Sequence, residues 1–66
     1  MNNLKVKLKE IRLANSLSQE ELAESVLVSR QTIISIEKEV YQPSVSLALK
    51  LAKKLKVKVE DLFTLN

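Results

Sequence analysis

The sequence contains no cysteine, no histidine and no glycine among its 66 residues. Without cysteine or histidine, the chain forms neither disulfides nor the common zinc sites. The lack of cysteine also suits the reducing cytoplasm, where we expect the protein to reside. Without glycine, it has no glycine-rich phosphate-binding loop. These absences argue against catalysis, so we expect a protein that is not an enzyme and that holds no cofactor and no metal.

Long apolar segments are also missing. No run approaches the roughly 18 residues of a membrane helix, so we expect no membrane partner. Lysines alternate with apolar residues after Leu4, unlike the apolar centre of a secretory signal. At this length we expect one domain, residues 1–66, with a small core, because such a chain buries only about 60% of its surface.

The apolar residues that are present recur mostly at helical spacing. The pattern predicts an all-α domain of five short helices around one core. A first helix is expected over residues 4–14, although residues 4–8 also alternate as a strand would. Pro43 ends any helix before it, and a last short helix is expected over residues 59–63.

The missing glycines have a local consequence, because glycine normally supplies the left-handed residue that follows a helix. After the first helix, Asn15 or Ser16 must form this bend. After the third helix, Lys38 or Glu39 must form it. Each bend therefore carries a conformational cost that glycine would avoid.

Two helix starts lie eleven residues apart, at Ser18 and Ser29. A serine at this position accepts a hydrogen bond from the first turn, and Glu21 completes a capping box with Ser18. The small Ala23 suits a close crossing of the two helices. This spacing is the layout of a helix-turn-helix, formed by the second and third helices.

The helix that starts at Ser29 carries side chains suited to read bases from the major groove. Arg30 has the geometry to bond guanine O6 and N7, and Gln31 has the geometry to bond adenine N6 and N7. Ser35 lies one turn beyond Gln31 on the same face. Polar helix starts are common, so the paired spacing carries most of the argument. Phosphate or supporting contacts are expected from Gln19, Ser29, Thr32 and Tyr41.

The charge distribution is compatible with a polyanionic partner but does not prove one. Eleven basic and eight acidic residues give a net charge of +3 and a pI near 9.4. Lysines cluster within residues 5–9 and 50–58, and acids cluster within residues 20–24. Whether the lysine clusters contact phosphates or only face solvent stays open.

Several motifs follow one another along the chain: LKEIR at residues 8–12, LSQEELA at 17–23, VSRQTI at 28–33, IE at 36–37, PS at 43–44, LALKLA at 47–52 and VEDLF at 59–63. This combination resembles the Cro/C1-type (Xre) helix-turn-helix family of phage and bacterial repressors over about residues 8–63. In length the chain is similar to stand-alone minimal repressors of the cytolysin-repressor type. The resemblance implies a compact lambda-repressor-like fold and a transcriptional regulator, specifically a repressor, that binds double-stranded DNA sequence-specifically.

The resemblance also assigns roles to individual residues. It implies a largely buried ion pair of Arg12 with Glu37, which joins the first and third helices. The residues that it implies to face DNA are Gln19, Arg30, Gln31, Thr32 and Ser35.

The sequence departs from the family pattern in several places. Residues 38–40, Lys-Glu-Val, replace a common Asn-Gly-Lys, so we expect this loop to contact the DNA backbone less well. Leu27 replaces a common glycine in the turn between the two capped helices. Lys58 stands where a cap serine is usual, so we expect the last helix to start poorly.

We expect a homodimer on a near-palindromic operator, because one recognition helix contacts too few base pairs to specify a site. The candidate interface is Leu62, Phe63 and Leu65, with residues 1–4 alongside. For Leu62 and Phe63, a place in the monomer core is the preferred alternative. No small-molecule effector site is legible. A rival function, an adaptor or antitoxin that binds a second protein, stays open.

Overall fold

The computed structural model describes residues 4–65. This part of the chain contains five helices, in the order that the apolar spacing predicts, and two short strands. The elements are β1 (Leu4–Val6), α1 (Leu8–Ala14), α2 (Gln19–Ser25), α3 (Arg30–Glu37), α4 (Val45–Leu55), α5 (Val59–Leu62) and β2 (Phe63–Leu65).

The two ends of the described chain form an antiparallel sheet, so the predicted all-α fold was wrong in this detail. Residues 4–6 are a strand, and the first helix begins at Leu8 instead of residue 4. The last helix ends at Leu62, because Phe63 belongs to β2. The paired positions are Leu4 with Leu65, Lys5 with Thr64, and Val6 with Phe63.

The sheet forms because it covers the core with apolar side chains. Val6 and Phe63 both pack against the core, whereas Lys5 is exposed. Because alternate residues of a strand lie on opposite faces, this register turns Val6 and Phe63 towards the core and Lys5 towards solvent. The Lys7 N–H extends the ladder by donating to the Leu62 carbonyl at 2.8 Å.

The core lies where α1 to α5 meet beneath this sheet. Burial of each large aliphatic side chain contributes about 1.5–3 kcal/mol relative to exposure. The largest side chains that are fully buried are Leu8, Leu22, Ile33, Ile36, Leu51, Leu55 and Leu62.

Serine hydroxyls cap three of the helices. Ser18, Ser29 and Ser44 each accept a hydrogen bond from a backbone N–H in the first turn of α2, α3 and α4. Lys58 provides no such cap to α5, as expected. The Asp61 carboxylate partly compensates, because it accepts a hydrogen bond from the Lys58 N–H at 2.9 Å.

Four residues within the described range have left-handed backbone conformations without being glycine. Ser16 (φ 59°) and Glu39 (φ 62°) form the two bends for which the sequence left alternatives. Leu27 (φ 63°) lies in the turn between α2 and α3, and Lys56 (φ 60°) ends α4. For residues with a Cβ atom, this conformation costs about 1–2 kcal/mol each.

Candidate nucleic-acid interface

The start of α3 is held by its cap and by the preceding turn. Ser29 Oγ accepts a hydrogen bond from the Thr32 N–H at 3.2 Å, and the two hydroxyl oxygens lie 3.0 Å apart. The Val28 N–H donates to the Ala23 carbonyl at 3.0 Å. Ala23 is buried where α2 and α3 pack together, so its small side chain permits their close approach.

Arg30 and Gln31 project from the exposed first turn of α3. Gln31 Nε2 donates to Ser35 Oγ at 3.2 Å, which restrains the amide along the helix surface. The Arg30 side chain makes no hydrogen bond or ion pair with the rest of the described chain. Its guanidinium therefore offers five N–H donors to a ligand opposite α3.

The predicted base-reading and supporting residues line two shallow depressions, each of which includes the start of α3. Tyr41, which is 46% exposed, joins the α3 residues although it belongs to the following loop. Ser18 was predicted only as the cap of α2, and Glu20, which follows in the first turn, was given no predicted role at the DNA surface. The first depression is lined by Ser29, Gln31, Thr32, Ser35 and Tyr41. The second is lined by Arg12, Ser18, Gln19, Glu20 and Arg30.

A buried ion pair lies behind this surface. Arg12 Nε donates to Glu37 Oε2 at 2.7 Å, and Arg12 Nη2 donates to Glu37 Oε1 at 3.3 Å. The two side chains are only 6% and 4% exposed. Arg12 Nη1 also donates to the Leu17 carbonyl at 2.7 Å. The bidentate geometry and the added carbonyl offset the loss of hydration that burial imposes on both charges.

Gln19 connects the ion pair to the surface. Its Nε2 donates to Glu37 Oε1 at 3.0 Å, while the residue stays half-exposed at the start of α2. Arg12, Gln19 and Glu37 therefore tie α1, α2 and α3 together. Gln19 was predicted only as a DNA-facing residue, because the sequence does not show that Glu37 lies within its reach.

The loop after α3 is fastened at two points. The Val40 and Tyr41 N–H groups both donate to the Ser35 carbonyl, at 3.0 and 3.2 Å. The Glu39 carboxylate accepts a hydrogen bond from the Val6 N–H at 3.1 Å. Glu39 thus attaches the loop to β1, a role that the sequence analysis missed because 33 positions separate the two partners.

The three predicted interface residues at the C-terminal end differ in exposure. Leu62 is fully buried, so the preferred alternative, a place in the monomer core, is confirmed, and its candidate place in an interface was wrong. Phe63 is half-buried and packs against that core. Leu65 is 81% exposed and is the one residue of the three with most of its side chain in solvent.

The capping box at α2 perturbs one acid. The Ser18 N–H donates to Glu21 Oε1 at 2.8 Å, and the Glu21 N–H donates to Ser18 Oγ at 3.0 Å. The backbone hydrogen bond from Ser18, followed by a smaller effect of its hydroxyl, lowers the pKa of Glu21 below its ordinary value. The negative charge also favours the N-terminal end of the helix.

Within residues 4–65, no three acidic, histidine or cysteine side chains are grouped so as to hold a metal ion. The helices of this part of the chain are too short or too polar to cross a membrane.

Comparison with known proteins places the chain in a family. A helix-turn-helix family model matches residues 8–62. An uncharacterised HTH-type transcriptional regulator from Methanocaldococcus jannaschii is 55% identical over 60 residues, which cover 91% of both chains. The restriction-modification controller protein C.AhdI from Aeromonas hydrophila has a TM-score of 0.79 at 36% identity, with 85% of each chain covered. SinR, a master regulator for biofilm formation, solved in complex with DNA, has a TM-score of 0.76 at 31% identity, with 82% of this chain and 87% of SinR covered. The chain belongs to the Cro/C1-type helix-turn-helix family and is a sequence-specific DNA-binding transcriptional regulator.

Proposed function

We propose that this regulator is a repressor that binds a near-palindromic operator as a homodimer, with α3 in the major groove of each half-site. The observation that carries the proposal is the exposed, unpartnered Arg30 in the first turn of a helix that Ser29 caps. A recognition helix places these first-turn side chains against base edges. A dimer that covers promoter DNA excludes the polymerase without contacting it, and such a protein acts in the cytoplasm beside the chromosome.

Base reading is assigned to Arg30, Gln31 and Ser35. The Arg30 guanidinium bonds guanine O6 and N7 in a fork, which is the commonest specific contact in the major groove. Gln31 bonds adenine N6 and N7, and its amide keeps one N–H on Ser35 Oγ. Ser35 therefore positions Gln31 as well as facing the DNA.

Supporting contacts are assigned to Gln19, Ser29, Thr32 and Tyr41. Gln19 uses one amide N–H for Glu37 and keeps a second for a phosphate oxygen. The Ser29 and Thr32 hydroxyls and the Tyr41 hydroxyl lie at one depression beside Gln31. Contacts of this kind set the register of the protein on DNA but carry no base information.

Dimer formation is assigned to the outer edge of β2. Hydrogen-bonded pairs alternate along an antiparallel ladder, and Lys7 bonds the Leu62 carbonyl. The Leu65 main-chain groups and the Phe63 carbonyl therefore turn away from β1, whereas the Phe63 N–H donates to the Val59 carbonyl. On the other edge of the sheet, the Val6 N–H already donates a hydrogen bond to the Glu39 carboxylate. Two copies of β2 paired antiparallel about a two-fold axis would bring their exposed Leu65 side chains together.

Selection of binding sequences from a pool of random duplexes tests this function. We expect a near-palindrome with half-sites about one helical turn, roughly 34 Å, apart, and two chains per duplex. Binding should weaken steeply as salt rises, because phosphate contacts release counterions. A single unpaired site with one chain bound would refute the dimer, and failure to enrich any sequence would refute specific recognition. Leu65→Asp should reduce dimerisation in sedimentation equilibrium, while Lys5→Asp, on the other face of the sheet, should not.

A further inference from the structure

A groove that the DNA contacts do not use lies between the C-terminal end of α2 and α4. Its surface is mostly carbon, and its lining at the end of α2 includes the buried Val26 and Leu27, which is 87% exposed. None of its residues lines the two depressions at the start of α3. The residues that line it are Ser25, Val26, Leu27, Lys50, Lys53 and Lys54.

Leu27 is unfavourable at its position in two ways. It exposes a large apolar side chain to water, and it holds a left-handed backbone conformation (φ 63°) that glycine or asparagine adopts more easily. Its side chain takes no part in the hydrophobic core. Its side chain does, however, extend the apolar wall of the groove.

Three lysines of α4 line the opposite wall and make it positively charged. Lys50, Lys53 and Lys54 are three and four residues apart, so they share one face of α4. None of them makes an ion pair with another residue of the described chain. The negative C-terminal end of α4 attracts Lys53 and Lys54, but Lys50 stands one turn earlier and repels Lys54. Their aliphatic stems add carbon surface to the groove while their ammonium groups form its rim.

We propose that this groove binds an acidic segment of a different protein, which inserts one large apolar side chain beside Leu27 and sets carboxylates opposite the three lysines. DNA fits the rim but not the groove, since a phosphate backbone has no apolar group to bury against Leu27. A second copy of this chain fits poorly as well. A two-fold contact would oppose lysines with lysines, and a head-to-tail contact would build rings or open filaments instead of a dimer.

Two substitutions test the groove without unfolding the protein. Leu27→Asn removes the apolar wall and relaxes the left-handed turn, so we expect an equal or higher melting temperature. Lys50→Glu replaces a repelling pair with an attracting one at the same spacing to Lys54, so we expect the fold to be kept. Arg30→Ala is the matched control on the DNA face, where it should leave the groove intact.

The probe is a displayed library of short random peptides, selected against the full chain and then retested as single peptides. We expect enriched peptides that combine aspartate or glutamate with one large apolar residue. Leu27→Asn should weaken their binding about tenfold or more, the scale of losing one buried leucine, and Lys50→Glu should weaken it by reversing one charge of the rim, while Arg30→Ala leaves it unchanged.

Four outcomes would overturn the proposal. In the first, no enriched peptide depends on the groove for its binding. In the second, replacement of the apolar peptide residue by serine leaves binding unchanged. In the third, Leu27→Asn and Lys50→Glu weaken operator binding as much as Arg30→Ala does, which assigns the face to DNA. In the fourth, both substitutions abolish self-association, which assigns it to a second copy.

Discussion

The two arginines of this chain occupy opposite kinds of environment. Arg12 is buried, and its guanidinium makes hydrogen bonds to Glu37 and to the Leu17 carbonyl. Arg30 is exposed and has no partner within the described chain. Removal of Arg12 would leave a buried carboxylate uncompensated, whereas removal of Arg30 would leave nothing unsatisfied in the protein itself. The same side chain therefore serves stability in one region and is available for recognition in the other.

The two environments lie at opposite ends of α3, so one end of this helix contributes to folding and the other end is proposed to bind DNA. Glu37 ends α3 inside the protein, and Arg30 begins the same helix at the surface. The buried end fixes the helix against α1 and α2, and thereby fixes where the exposed end points. Substitutions at the two ends should consequently be read out by different measurements.

The largest expected effect is on folding, at the buried end. Glu37→Ala leaves the Arg12 charge without its partner, and this typically costs about 3–5 kcal/mol of unfolding free energy. Urea denaturation measures it, and the melting temperature should fall strongly. Glu24→Ala, an exposed acid on α2, is the control and should change stability by less than about 0.5 kcal/mol. Equal curves for the two variants would show that the ion pair does not hold α3 in place.

The next effect is on binding, at the exposed end. Arg30→Ala should weaken binding to a selected operator by about 1–3 kcal/mol and relax base preference at one position per half-site. Its melting temperature should match the wild type. Arg30→Lys keeps the charge but loses the fork, so it should retain general DNA affinity while it loses preference. Operator binding of Arg30→Ala at wild-type strength would remove Arg30 from the base-reading residues.

A smaller effect is expected where Glu39 joins the loop after α3 to β1. Glu39→Ala removes the acceptor of the Val6 N–H, so the unfolding free energy should fall by about 0.5–1.5 kcal/mol. Hydrogen exchange of the Val6 amide should quicken more than that of amides inside α4. Glu39→Gln, which keeps an acceptor oxygen, should preserve part of the protection. An unchanged rate of hydrogen exchange at the Val6 amide in Glu39→Ala would show that Glu39 does not attach the loop to β1.

The smallest effect is the pH dependence of the α2 cap. Because the folded-state pKa of Glu21 is lowered, its contribution to stability is complete above the ordinary value of 4.5 and is lost as pH falls through the folded-state pKa. In Glu21→Gln this loss should vanish, so the stability difference between wild type and variant should shrink on acidification. Parallel curves of stability against pH would show that Glu21 does not titrate with folding.

The sequence predicted the features that depend on near neighbours. The caps Ser18, Ser29 and Ser44 are visible because each acts on a backbone N–H within the following turn. The apolar spacing likewise identified the order of the helices. Composition and spacing therefore predicted a helix-turn-helix with α3 as its recognition helix, and the family comparison confirmed the helix-turn-helix.

The features that the sequence did not predict all join distant segments. The pairing of β1 with β2, the hydrogen bond of Glu39 to Val6 and the hydrogen bond of Gln19 to Glu37 require the folded core to bring their partners together. Alternation in residues 4–8 suggested a strand, but without its partner a strand and a helix start look alike. Leu62 was a candidate for both the interface and, by preference, the core, because sequence alone does not tell an inward leucine from an outward one.

The central claim is that α3 reads guanine from the major groove through Arg30. Methylation interference on a selected operator tests it most directly, because methylation of guanine N7 blocks a major-groove acceptor without changing the base pair. We predict that methylation of one guanine in each half-site prevents binding of the wild type and no longer affects Arg30→Ala. Interference that is absent from the wild type, or that is equal in wild type and Arg30→Ala, would contradict the account.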